Sequence, residues 1–150
     1  MLLIAFLPFL VFSSSCSQRA DPEKHLIPKG YAGPVIIIYD QKDGNPEKYN
    51  DGFRIYEIPE NGILRTQFKH PSGWIAPGKL QYYYSGKNGL QELTYIERPA
   101  DVKDDGQIHV FNKESSVGTI RYLVGQLSDG EKHFKDLRSK IDSLFPPQVQ

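Results

Sequence analysis

Val35-Ile36-Ile37-Ile38-Tyr39 lies between two runs of turn residues, Pro28-Lys29-Gly30-Tyr31-Ala32-Gly33-Pro34 before it and Asp40-Gln41-Lys42-Asp43-Gly44-Asn45-Pro46 after it. Five consecutive β-formers so bounded describe a short strand covered on both faces, because a helix would need a longer run with a polar side. This strand is the candidate centre of a sheet. Further along, Phe53 to Ile58 and Ile63 to Phe68 flank Pro59-Glu60-Asn61-Gly62, while Leu80 to Ser85 and Leu90 to Glu97 flank Asn88-Gly89. Asn-Gly suits the two-residue type I′ turn, since both residues tolerate positive φ, so each pair reads as an antiparallel hairpin. In the first hairpin Ile55 faces Phe68, which places Phe53, Ile55, Leu64 and Phe68 on a core side and Arg54, Tyr56, Arg65 and Gln67 on the other. In the second, Tyr84 faces Leu93 and Tyr82 faces Tyr95.

Ile108 to Phe111 and Thr119 to Val124 are further alternating apolar stretches. The period then changes: Phe134, Leu137, Ile141 and Leu144 recur at three and four with charged residues between them, the stripe of an amphipathic helix. Ser128-Asp129-Gly130-Glu131 has the form of a capping box, and Pro146-Pro147 ends the segment. The expected fold is mainly β, an antiparallel sandwich-like domain of about six or seven strands with one C-terminal helix from Asp129 to Leu144.

At the other end, Leu2 to Phe12 is an apolar run broken only by Pro8. It is shorter than the roughly 20 residues a bilayer-crossing helix requires and has the length of a signal-peptide core. Ser13-Ser14-Ser15 then leads into Cys16, the one cysteine of the chain. The arrangement resembles a bacterial lipoprotein signal, which implies cleavage before Cys16 and a diacylglycerol on its thiol. The chain divides accordingly into a signal peptide at 1–15, a lipidated cysteine and tether at 16–25, and a single β-rich domain at 26–150. The expected location is a bacterial cell envelope, on the outer membrane or the outer face of the cytoplasmic membrane.

Eighteen Lys and Arg balance eighteen Asp and Glu, for a formal net charge of zero. A nucleic-acid partner is not expected, because phosphate binding draws on a surplus of cationic side chains. One cysteine permits neither an internal disulfide nor a cysteine zinc cluster.

Ile27-Pro28-Lys29-Gly30-Tyr31-Ala32-Gly33-Pro34-Val35 and Ile58-Pro59-Glu60-Asn61-Gly62-Ile63 carry a likeness of their own. Here the sequence resembles an uncharacterised family of small bacterial lipoproteins, a domain of unknown function with an I-P-x-G-Y-x-G signature after the lipidated cysteine. The likeness covers about half of the mature chain and implies no catalytic residue. The order of strands and Gly-rich turns is also similar to the small β-sandwiches of the transthyretin and carboxypeptidase-regulatory type, a likeness of fold alone.

The residues show no Gly-x-Ser-x-Gly elbow and no phosphate loop. His25, His70, His109 and His133 are scattered, without the spacing that brings two imidazoles onto one metal, and are read as exposed or half-buried. Asp40, Asp43, Asn45 and Glu47 form an acidic turn that departs from a calcium loop at the second ligand. No catalytic residue, metal or cofactor is expected. Nine tyrosines and one tryptophan, with Tyr82-Tyr83-Tyr84 in a row, leave aromatic rings for a surface. Arg54, Tyr56, Arg65, Trp74 and Tyr83 are the candidate partner-binding residues, because Arg and aromatic side chains bury much area and keep a directional polar end. The leading functional class is a non-enzymatic lipoprotein that binds a protein or glycan. An immunity or inhibitor lipoprotein is a special case of it, and an enzyme with a site assembled only in three dimensions is the alternative.

Overall fold

The computed structural model describes residues 19–146, so the expected signal peptide and Cys16 lie outside the described residues. Ten strands and one helix follow in order: β1 Glu23–Pro28, β2 Gly33–Ile38, β3 Tyr49–Asn50, β4 Phe53–Glu57, β5 Ile63–Arg65, β6 Leu80–Gly86, β7 Gly89–Leu93, β8 Tyr95–Ile96, β9 His109–Ser116, β10 Thr119–Gly125 and α1 Gly130–Leu144. They form two five-stranded sheets, β3-β4-β1-β6-β7 and β5-β2-β10-β9-β8. The fold is mainly β with a single C-terminal helix, as expected. The sheets are mixed and not purely antiparallel: β1 runs parallel to both β4 and β6, β2 parallel to β5, and β8 parallel to β9.

β1 opens the domain within the stretch expected to be tether. Its inward residues are Glu23, His25 and Ile27 and its outward ones Lys24, Leu26 and Pro28, so the alternation is regular while two of the inward side chains are polar. Apolar periodicity alone does not reveal such a strand. β2 is buried along its whole length, as its composition dictates. Val35, Ile37 and Tyr39 join Ile27, Tyr56, Leu64, Tyr82, Tyr122 and Val124 in the core between the sheets. Ile36 and Ile38 point the other way, into a second core with Phe111, Leu123 and Leu137, where Ile141 and Leu144 of the helix also pack. The layers are therefore sheet, sheet, helix.

The first expected hairpin does not form. β4 and β5 belong to different sheets, and Pro59 to Gly62 carries the chain between them. Gly62 N–H donates to Pro59 O at 2.8 Å, with Glu60 and Asn61 as the central turn residues. Gly62 has φ 74°, whereas Glu60 and Asn61 have no positive φ, so the backbone is not the type I′ turn that folds a strand back on its neighbour. The pairing of Ile55 with Phe68 is lost with it. The second hairpin forms two residues out of the expected register, with Tyr82 opposite Leu93 and Tyr84 opposite Gln91. An even shift preserves the faces, so Tyr82 and Tyr84 still point into the core. Tyr95 has left for the other sheet, as part of β8.

α1 begins one residue later than expected. No side chain caps it, because the chain enters through a 3-10 turn at Leu127–Asp129 that holds Ser128 short of the cap position. Its buried face also differs from expectation: Phe134 is 42% exposed, and His133 takes the inward place one residue earlier. Among the described residues no helix is long and apolar enough to cross a membrane.

Candidate functional site

β4, β1 and β6 are parallel neighbours, so all three start at the end of the sandwich where the chain enters and finish at the opposite, distal end. The distal end is built by the turns that follow them. Tyr31 is the keystone. Its hydroxyl donates to Pro34 O at 2.5 Å, and its own carbonyl accepts the Tyr84 hydroxyl at 2.5 Å. A Cβ on Gly62 would lie 2.0 Å from the Tyr31 hydroxyl oxygen and 2.5 Å from Pro34 O, so only glycine fits where the two turns cross. Ile36 N–H donates to Gly62 O at 2.8 Å, and Lys140 from α1 reaches Asn61 O at 2.6 Å. The Ile27–Val35 and Ile58–Ile63 segments, far apart in sequence, are thus one structural unit.

Between this unit and α1 runs an open groove of about 490 Å³, whose walls include Tyr31, Asn61, His133, Asp136, Ser139 and Lys140. Lys132 and Lys140 alternate with Glu60 and Asp136 along it, so neither sign dominates. Burial, with the Asp136 carboxylate nearby, pushes the Tyr31 phenol up to about 12 and keeps it a hydrogen-bond donor. His133 is buried, yet neither ring nitrogen has a hydrogen-bond partner. Its ring lies on Gly125, where a Cβ would come within 2.6 Å of Nε2. Ser139, the aliphatic hydroxyl in the groove, stands six positions along the helix from His133, about 9 Å of rise, too far for the pair to share a proton directly.

A second polar cluster lies sealed between the sheets. Glu23 and His25 are both 0% exposed. His25 Nε2 lies 3.3 Å from Glu23 Oε2 and Nδ1 3.1 Å from the Tyr122 hydroxyl, while Lys113 Nζ stands 3.8 Å from the same carboxylate oxygen. The rings of Tyr56, Tyr82 and Tyr122 enclose the imidazole at centroid distances of 4.9, 4.7 and 5.4 Å. Burial drives the His25 pKa below its usual value. Burial alone would raise Glu23, but its hydrogen bond to His25 and the charges around it, Lys113 and Arg54 among them, lower it overall. The consistent arrangement is an ionised Glu23 accepting from Nε2–H of a neutral His25, whose Nδ1 accepts from Tyr122.

The five candidate surface residues do not converge. Tyr56, expected outside, is wholly buried in the inter-sheet core, because β4 pairs in parallel with β1 instead of folding onto β5. Arg54 is engaged by Asp21 at 2.9 Å and by Lys69 O at 3.0 Å. Arg65 lies on β5 of the other sheet, 3.3 Å from Asp43. Tyr83 is half-buried on the outer face of β6, where Lys24 Nζ stands 5.8 Å from its ring centroid. Trp74 is 45% exposed at the entry end, with the Arg19 guanidinium 5.2 Å from its ring. Three of the histidines expected to be exposed or half-buried, His25, His109 and His133, are buried. Among the described residues no group of three or more His, Cys, Asp or Glu is placed to hold a metal ion.

The sequence pattern of a family of unknown function, DUF6843, matches residues 19–131. The chain belongs to that family. The DUF6843 match takes in every strand and stops at the first turn of α1, so it contains both polar clusters except for the part of the groove supplied by the rest of the helix. No curated protein is significantly similar in sequence. A crystal structure of a candidate lipoprotein from Bacillus anthracis is similar over 81% of this chain and 94% of that one, at 18% identity and a TM-score of 0.48.

Sequence reasoning missed the groove because its walls come from three separated segments, two turns joined by the parallel pairings and a helix packed onto β2. It missed the buried cluster because Glu23 and His25 look like tether residues. The available signal was the alternation of Glu23, His25 and Ile27 against Lys24, Leu26 and Pro28.

Proposed function

We propose that this DUF6843 domain is a non-catalytic envelope lipoprotein, held to a membrane through Cys16, that binds a protein partner in the groove between α1 and the Tyr31 turn. The observation that carries the reading is directional: the parallel strands β4, β1 and β6 start beside the expected anchor and end at the groove, which therefore faces away from the membrane. A polypeptide is the occupant that suits the walls. Cations and carboxylates alternate there, as they do on protein surfaces. Binding is favoured over catalysis because the close Glu–His pair is shut inside the core and the groove histidine has no nucleophile within reach. A photo-crosslinker replacing Ser139 in the intact cell is expected to give one discrete protein adduct, abolished by Asp136→Lys with the melting temperature unchanged. No adduct, or an adduct to glycan alone, would overturn the protein-binding reading.

A further inference from the structure

The entry end of the sandwich has a surface of its own. Ala20 N–H donates to Trp74 O at 3.0 Å, so the Trp74 loop is fixed four residues from Cys16. Four residues of extended chain span at most about 14 Å. Wherever Cys16 is held, Trp74 is therefore held close by. The same end carries Phe53 at the start of β4, with Lys24 Nζ 5.0 Å and Lys79 Nζ 5.6 Å from its ring centroid. Tyr49, beside the β3–β4 turn, is half exposed. Thr119 pairs with Ile38 at the end of β2, which brings the β9–β10 turn to this end too, and its Val117 is 100% exposed. The acidic groups nearby include Asp21, which is bound to Arg54, Asp40, Glu47 and Asp51, and Glu114 on the β9–β10 hairpin three residues before Val117.

We infer that this end is a membrane-contact surface: Trp74 and Val117 enter the headgroup region of the bilayer that receives the Cys16 lipid, and Arg19, Lys24 and Lys79 meet lipid phosphates. The inference rests on the reading that Cys16 is lipidated. Its further basis is the chemistry of the side chains. Tryptophan favours the water–hydrocarbon boundary because its ring is apolar and its N–H is polar, and cations beside it are drawn to anionic headgroups. A cationic aromatic patch beside the anchor adds apolar burial and headgroup attraction to the binding that the acyl chains supply.

Trp74 is the sole tryptophan, so its emission reports on one place. The full-length lipidated protein is reconstituted into vesicles of phosphatidylcholine and phosphatidylglycerol, with and without bromine on the upper acyl chain. Brominated lipid is expected to quench Trp74 at least twofold, and Arg19→Glu with Lys79→Glu to remove most of that quenching. A reporter moved to the distal turn by Trp74→Phe with Asn88→Trp should stay unquenched. Protein that floats with the vesicles while Trp74 is unaffected overturns the contact surface and leaves the anchor standing. Equal quenching at both positions also overturns it. Protein that carries no lipid and does not float overturns the anchor reading, and the inference falls with it.

Discussion

Gly62 shows how much one residue can decide. Its φ of 74° already disfavours a side chain, and a Cβ would strike the Tyr31 hydroxyl and the Pro34 carbonyl. Gly62→Ala is expected to cost about 3 kcal/mol in urea unfolding, since strain and overpacking act together. Gly30→Ala, at φ 84° with nothing within 4 Å of the new Cβ, separates the two effects and should cost about 1 kcal/mol. His25 makes a second residue-scale prediction. Unfolded, it titrates near pH 6.5, and burial holds it lower in the native state, so below about pH 6.5 the unfolded chain takes up a proton that the native chain refuses. Glu23, held below its usual value, prolongs the loss as pH falls further, because the unfolded carboxylate is protonated first. The melting temperature should therefore be highest near neutrality and decline steadily with acid. His25→Gln keeps a donor for Glu23 and should flatten the upper part of that decline, as calorimetry across the range would show. None of this was legible in the residue types. A histidine and a glutamate near the start of a domain look solvated until a strand with polar inward positions is recognised.

At the level of elements, intrinsic β character was readable and pairing was not. Val35 to Tyr39 could only be a covered strand, and the tyrosine triplet kept its inward rings because a register error of two leaves side-chain direction unchanged. Asn61-Gly62 misled because a turn signal specifies a local reversal, and here the reversal leads into the other sheet. The helix was legible through its period, while its exact face depended on what the sheet offered. Gly125 leaves room for the His133 ring, and Phe134 turns outward. Leu137→Ala should accordingly cost about 3 kcal/mol, against less than about 0.5 kcal/mol for Phe134→Ala, in thermal or urea unfolding. Tyr56→Ala tests β4 in the same way. Its ring belongs to the core between the sheets, so a loss of about 3 kcal/mol or more is expected, whereas exposed Trp74 should tolerate alanine with little change in stability.

For the whole molecule, the arrangement that matters is a first strand lying in the middle of its sheet. β1 has neighbours on both sides and buried inward residues, while β3 and β7 form exposed edges. Hydrogen exchange should therefore be slowest at the amides of His25 to Ile27 and fast along the outer side of β7. The groove escaped the sequence at this scale because it exists only after β1 has entered between strands that come much later in the chain. The position of β1 also governs how the molecule carries tension. Under the proposed function, a load between a lipid at Cys16 and a partner at the distal turns would run along the β1 axis, and the hydrogen bonds to β4 and β6 lie across it. Such bonds fail together in shear, where a pull across the sheet would peel them one by one. Single-molecule extension between Cys16 and Asn88 is expected to need a clearly larger rupture force than extension between Tyr49 and Leu90 on the two edges, which would make this small domain a stiff strut between membrane and cargo.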